Sequence, residues 1–177
     1  MSKVYFGGSR SLPYQNQNSA LHQVVSAVIE QGSSVHVGCQ LGADKEVLLS
    51  AMFRNPLSLM VFAVAPVIDQ APHHVLQIAY KGAHVVLGAG GSSAPIPARY
   101  LLRSIAAFQG CESAVFFSPG PGSLAVAREC IKSGLPVFAF GEYPAPVPSS
   151  VGFWVESSFV GFACWQWQVT VMQAKLF

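Results

Sequence analysis

Charge is scarce in this chain. Of 177 residues, ten are Lys or Arg and eight are Asp or Glu, so charged side chains make up 10% of the sequence, against roughly 25% in ordinary soluble domains. The formal net charge is +2, and the basic residues are scattered rather than gathered into a run. That distribution argues against a protein that wraps nucleic acid on a basic stripe. With hydrophobic residues at 51%, a monomer would struggle to cover its surface with polar groups. Part of the apolar surface is therefore expected to be buried between subunits, in a homodimer or a higher homo-oligomer.

Long hydrophobic runs are missing as well. The longest, LSLMVFAVAPVI at 57–68, is bracketed and interrupted by Pro56 and Pro66 and is too short to span a bilayer. The N-terminal MSKVYFGGSR leads straight into a strand-like segment without a signal-peptide pattern, so the expected setting is cytoplasmic, with no membrane partner. Cys39, Cys111, Cys130 and Cys164 form no CxxC pair, which points to reduced core thiols rather than disulfides or a metal site. The five histidines show neither HxxxH nor HExxH spacing, and His73–His74 has no cysteine or carboxylate close by. No metal is expected, and no cofactor beyond a nucleotide ligand.

What the chain does have is a regular alternation. Short β-rich apolar runs recur at 3–7, 33–38, 57–64, 83–88, 113–118 and 135–141, and such continuous runs suit strands buried on both faces of a parallel sheet. Stretches of helical spacing separate them, at 19–32, 43–53, 73–82, 98–110 and 123–134. The order predicts an α/β fold: a Rossmann-like, doubly wound, mainly parallel sheet flanked by helices. One domain spans 1–177, with a core at 3–141 and a proline-rich connector at 142–150. The extension at 151–177 holds all three tryptophans and reads as a strand or hairpin packed on the sheet. Those tryptophans are expected to complete a core or a subunit interface, with base stacking as the alternative.

In open α/β sheets ligands sit beyond the carboxyl ends of the strands, and three glycine-bearing junctions fall there. The first is Gly7–Gly8–Ser9–Arg10, where glycine lets a ligand approach the backbone and Arg10 can clamp a phosphate. The second runs from Gly38 through Gly42 and Ala43 to Asp44, whose carboxylate either caps the next helix or accepts from a ribose or base. The third is SPGPGSLAVA, in which Gly120, Gly122 and Ser123 open a helix near 122–123. Its free N–H groups and positive dipole end would face the same crevice. A fourth feature, RYLLR, sets Arg99 and Arg103 on one helix face as i,i+4 neighbours. They form either surface ion pairs or a cationic wall opposite that helix end.

Taken in order over residues 3–141, these pieces resemble the SLOG superfamily, the Rossmann-like group that joins DNA-processing protein A with the LOG phosphoribohydrolases. The most specific piece is SPGPGSLAVARECIKSGLPVFAFG at 117–141, which is similar to the SGSL-x-x-A helix and VFA strand of the DNA-processing branch. GSR and the Gly38, Gly42, Asp44 spacing also match that branch. The resemblance implies either nucleotide binding or an interaction with single-stranded DNA. In the LOG branch it would place Arg103 at the catalytic arginine and Ser104 at a lysine. Ala125 and Val126 would stand where that branch carries its glutamates, and Glu129 lies one turn too far along the helix to replace them. Such hydrolysis passes through an oxocarbenium-like centre that a carboxylate would stabilise or supply with water. The expectation is therefore non-catalytic binding of a nucleotide or phosphate-bearing derivative. Phosphoribohydrolase activity and single-stranded DNA binding are the alternatives.

Overall fold

The computed structural model describes residues 2–12, 16–91 and 93–170. The expected strands form six parallel elements: β1 (Lys3–Gly8), β2 (Ser34–Val37), β3 (Leu59–Phe62), β4 (His84–Val86), β5 (Ser113–Phe117) and β6 (Val137–Phe140). The helices between them are α1 (Asn16–Glu30), α2 (Ala43–Arg54), α3 (His73–Tyr80), α4 (Ile96–Phe108) and α5 (Pro121–Lys132). The tryptophan-bearing segment forms a hairpin, β7 (Gly152–Phe159) and β8 (Phe162–Val169), whose second strand joins β6 antiparallel. The last seven residues of the expected extension, 171–177, lie outside the described ones. The sheet order is β4-β3-β2-β1-β5-β6-β8-β7.

Both faces of this sheet are covered near its centre, which explains why its strands read as unbroken apolar runs. On one face Val24, Val25 and Val28 of α1, Val47 and Leu48 of α2, and Val75 and Ile78 of α3 pack on Phe6, Val35, Val37 and Val61. On the other, Ala107 and Phe108 of α4 and Leu124, Ala127 and Cys130 of α5 pack on Tyr5, Ala114 and Phe116. The four cysteines are all buried and unpaired. Burial pushes the thiols up, Cys111 to about 12 and Cys164 to about 11, which leaves them poor nucleophiles.

Helices α4 and α5 begin earlier than the expected starts, at Ile96 and at Pro121. In each, a proline occupies one of the first two positions, where the missing N–H has no intrahelical partner to lose and the fixed φ favours the helix. The proline-rich connector is no loose linker. Val147 is buried in the second core, and the Ala145 carbonyl accepts from Trp154 Nε1 at 3.0 Å. Trp154 and Trp167 are buried there edge to face, with ring centroids 5.2 Å apart. Two of the three tryptophans thus complete the core, and Trp165, half-buried, stands edge-on to Tyr143 at 4.9 Å.

The chain runs outward from β1 through β2 and β3 to β4, and then α4 carries it back to β5 on the other side of β1. The strand order reverses between β1 and β5, and a crevice is expected at their carboxyl ends. If the hairpin is an integral part of this core, Trp154→Ala should destabilise the protein by about 3–5 kcal/mol. Denaturant unfolding followed by far-UV circular dichroism checks this, and an unchanged midpoint would mean the hairpin is dispensable.

Candidate functional site

A cavity of about 600 Å³ opens at that reversal point, a size typical of small-molecule sites. Its rim is built by the end of β1 and the start of α5. Ser9 N–H donates to the Phe117 carbonyl at 3.0 Å, so the chain leaving β1 stays on the sheet for one more residue. Ser118 takes φ 44°, a left-handed conformation rare for a residue with a side chain, as the chain turns from β5 toward Gly120. Gly120 is the N-cap of α5 without a side-chain cap, and Leu124 N–H closes the first helical bond to its carbonyl at 2.9 Å. The N–H groups of Gly122 and Ser123 have no acceptor within the helix, and both residues line the cavity. The Ser123 hydroxyl donates to the Gly8 carbonyl at 2.6 Å, fastening α5 to β1.

The floor holds a buried ion pair. Arg103 of α4 and Asp44 of α2 meet with Nη1 and Oδ2 3.3 Å apart, their side chains 5% and 9% exposed. Asp44 Oδ2 also accepts from Gln40 N–H at 3.2 Å, and Arg103 Nη2 donates to Ser104 Oγ at 3.1 Å. The cap of α2 is Gly42, so Asp44 is not serving as the helix cap. Burial raises the Asp44 carboxyl above its usual range, while Arg103 and the Gln40 N–H pull it back. Burial works against the charge on Arg103, but Asp44, Tyr5 and Cys39 together outweigh it and hold the guanidinium above its usual range. Arg103 Nε is buried with no hydrogen-bond partner among the described residues. Tyr5, with its phenol pushed up by burial, completes the floor.

Gly38 explains how the pair fits. A Cβ at this position would run into Arg103 Nη1 and Asp44 Oδ2, so glycine is what leaves room for the two charged groups. Gly42 and Ala43 also act through packing. A side chain on Gly42 would strike the Ser9 and Arg10 carbonyls, and Ala43 N–H donates to the Ser9 carbonyl at 2.9 Å. None of these three residues lines the cavity, whereas Gly7, Gly8, Ser9 and Arg10 all do. Arg10 is exposed, with its guanidinium carbon 5.8 Å from the centroid of the half-buried Tyr100 ring. Arg103 approaches the same ring at 5.9 Å.

The structure separates the two arginines of RYLLR. Arg103 reaches the cavity, while Arg99 donates from Nε to the Ala94 carbonyl at 2.6 Å and is not part of the lining. An i,i+4 spacing puts two residues on one side of a helix, but here Arg99 sits near its start and is drawn to the preceding loop. Sequence reading missed Tyr5, Gln40, Tyr100 and Leu101. Tyr5 carried a faint signal as the one tyrosine in a described strand, and Tyr100 as the aromatic inside the arginine motif. Ala125 and Val126 line the cavity. Glu129 instead bonds to Arg128 at 2.9 Å and Lys132 at 3.1 Å, which lower its pKa. Asp44 is the one carboxylate among the described residues of the lining.

No family model and no curated protein matches the chain. Solved structures do. DNA processing protein A from Helicobacter pylori, whose structure concerns its single-stranded DNA binding mode, is 16% identical with a TM-score of 0.65, over 80% of this chain and 66% of that one. DNA processing protein A from Streptococcus pneumoniae is 20% identical with a TM-score of 0.59, over 84% of this chain and 52% of that one. The chain thus has the Rossmann-like fold found in DNA-processing proteins, and it spans less than two thirds of either relative's length.

Removing one partner of the floor pair should leave an uncompensated buried charge. Asp44→Ala is expected to cost about 3–5 kcal/mol, and Asp44→Leu combined with Arg103→Met much less. Equilibrium denaturation of the two variants checks this. Equal losses would show that the pair does not act as a unit.

Proposed function

We propose that the crevice binds a nucleotide or another phosphate-bearing nucleotide derivative and holds it without cleaving it. The observation that carries this reading is the convergence in one cavity of the free N–H groups of α5, the exposed guanidinium of Arg10 and the buried guanidinium of Arg103. A helix N-terminus attracts an anion through its free N–H groups and dipole, and Arg10 adds a fork that matches a phosphate. The wall made by Pro97, Tyr100 and Leu101 offers apolar and aromatic surface to a base. The carboxylate needed to stabilise an oxocarbenium-like centre has no counterpart at Ala125 and Val126, and Asp44 is already engaged by Arg103. This supports holding over hydrolysis.

A second reading, single-stranded DNA along the same crevice, is favoured by the fold shared with the Helicobacter protein. It predicts oligonucleotide affinity that falls steeply with salt, by roughly one phosphate contact's worth of slope for each cation engaged. A second copy of the chain is kept as a partner. Phe53, Leu57 and Tyr80 stay 79%, 79% and 92% exposed, in a chain with few charges to keep such groups dispersed. Light scattering should then report a mass above the 18.8 kDa of one chain, and a monomer at micromolar concentration would remove this part of the reading.

Thermal-shift titration with AMP tests the main reading. Saturation at 100 times the dissociation constant should add about 2.7 kcal/mol of stability. Arg10→Ala should weaken binding about tenfold or more while leaving the ligand-free melting temperature unchanged, since the side chain is exposed. Absence of any shift with AMP and other nucleotides would overturn the proposal. Release of free base in the same samples would replace holding with hydrolysis.

A further inference from the structure

Resting on the reading of the crevice as a nucleotide site, we propose that Asp44 recognises a free hydroxyl of the sugar, so that the ligand is a single nucleotide and not a deoxyribose strand, whose 2′ carbons carry no oxygen and whose 3′ oxygens are esterified. Among the described residues the Asp44 carboxylate accepts two hydrogen bonds, from Gln40 N–H and Arg103 Nη1, and both fall on Oδ2. Asp44 lines the cavity, and Oδ1 is the oxygen left to meet a ligand. An ionised carboxylate offers about four lone-pair sites and no donor. It repels a phosphate and accepts from a hydroxyl or an N–H. The cavity therefore sets unlike groups against each other: N–H groups at the start of α5, and an acceptor at the start of α2 with Arg10 on the loop beside it.

These helix starts are close together because both are fastened to the end of β1. The Ser123 hydroxyl bonds to the Gly8 carbonyl on one side, and Ala43, which precedes Asp44, packs against Gly8 so tightly that a Cβ there would lie 2.7 Å from its own. A phosphate subsite and an acceptor flanking one residue suit a nucleotide, whose phosphate and ribose hydroxyls lie on one sugar. Arg103, paired with Asp44, adds a buried donor group to the same wall of the cavity. It is 5% exposed, lines the cavity, and has Nε without an acceptor among the described residues. A hydroxyl that donates to Asp44 can accept from this guanidinium, which a deoxyribose carbon cannot do.

The test is isothermal titration of the full chain with AMP, 2′-deoxy-AMP and 3′-deoxy-AMP. Losing a hydrogen bond to a charged group should weaken at least one deoxy analogue by about tenfold, and any loss of about fivefold or more supports the proposal. Smaller losses for both analogues would overturn it while leaving the nucleotide reading intact. If none of the three binds, the nucleotide reading falls and this inference falls with it. Asp44→Asn provides the protein-side check, because its neutral amide oxygen accepts more weakly than a carboxylate. It should shrink the hydroxyl preference toward unity, and a preference retained in full would overturn the assignment to Asp44. Where that variant fails to fold, the analogue series decides alone.

Discussion

A charge buried at the top of a sheet is costly, and this fold depends on two of them meeting. Asp44 comes from a helix packed on one face of the sheet and Arg103 from a helix packed on the other. Their contact crosses the carboxyl edge of the central strands and ties the two helical layers to each other. The net gain in stability from such a pair is small, because desolvation takes back most of the Coulomb energy. Its effect is positional. Either charge alone would be an uncompensated buried ion, so arrangements of α2 and α4 that separate the two are strongly disfavoured. Gly38 leaves the space and Gln40 N–H satisfies another lone pair of the carboxylate.

From that constraint the geometry of the crevice follows. With α2 held by Asp44 and by the Ala43–Ser9 bond, the loop after β1 cannot collapse onto the sheet. With α5 held to Gly8 by Ser123, its N-terminus is aimed at the same point. The cavity is the space these fastenings leave open. Its walls are apolar and its polar groups few, an arrangement that fixes a ligand's orientation through a small number of contacts.

Much of the fold was legible in the sequence because it rests on local signals. The apolar runs of β1 to β6 and the helical spacing between them need only neighbouring residues to be read, and proline and glycine marked the helix starts to within two or three positions. The hairpin was legible for the same reason. The site was legible only in outline. Gly7 to Arg10 and Gly120 to Ser123 could be placed because they follow strands, and the rule for open sheets says where strand ends lead. What each residue does there could not be read, since it depends on partners far away in sequence. Asp44 and Arg103 are 59 positions apart, and Gly8 and Ser123 are 115 apart. Helical spacing alone made Arg99 and Arg103 look equivalent, and only the packing of α4 shows that one turns to the loop before it and the other to the cavity.

The same packing bears on whether the cavity cuts or holds. A general base or a stabilising carboxylate must be able to respond as charge develops on the substrate. Asp44 is held by a guanidinium and a backbone N–H, so its charge is spoken for before a ligand arrives. Glu129, the next carboxylate along α5, is engaged by Arg128 and Lys132 on the helix surface. A preformed acceptor already engaged by a guanidinium and a backbone N–H is poor equipment for hydrolysis and good equipment for recognising a hydroxyl. The ion pair that fastens the two layers would then also read the ligand, and binding at Asp44 would be felt by both helices at once.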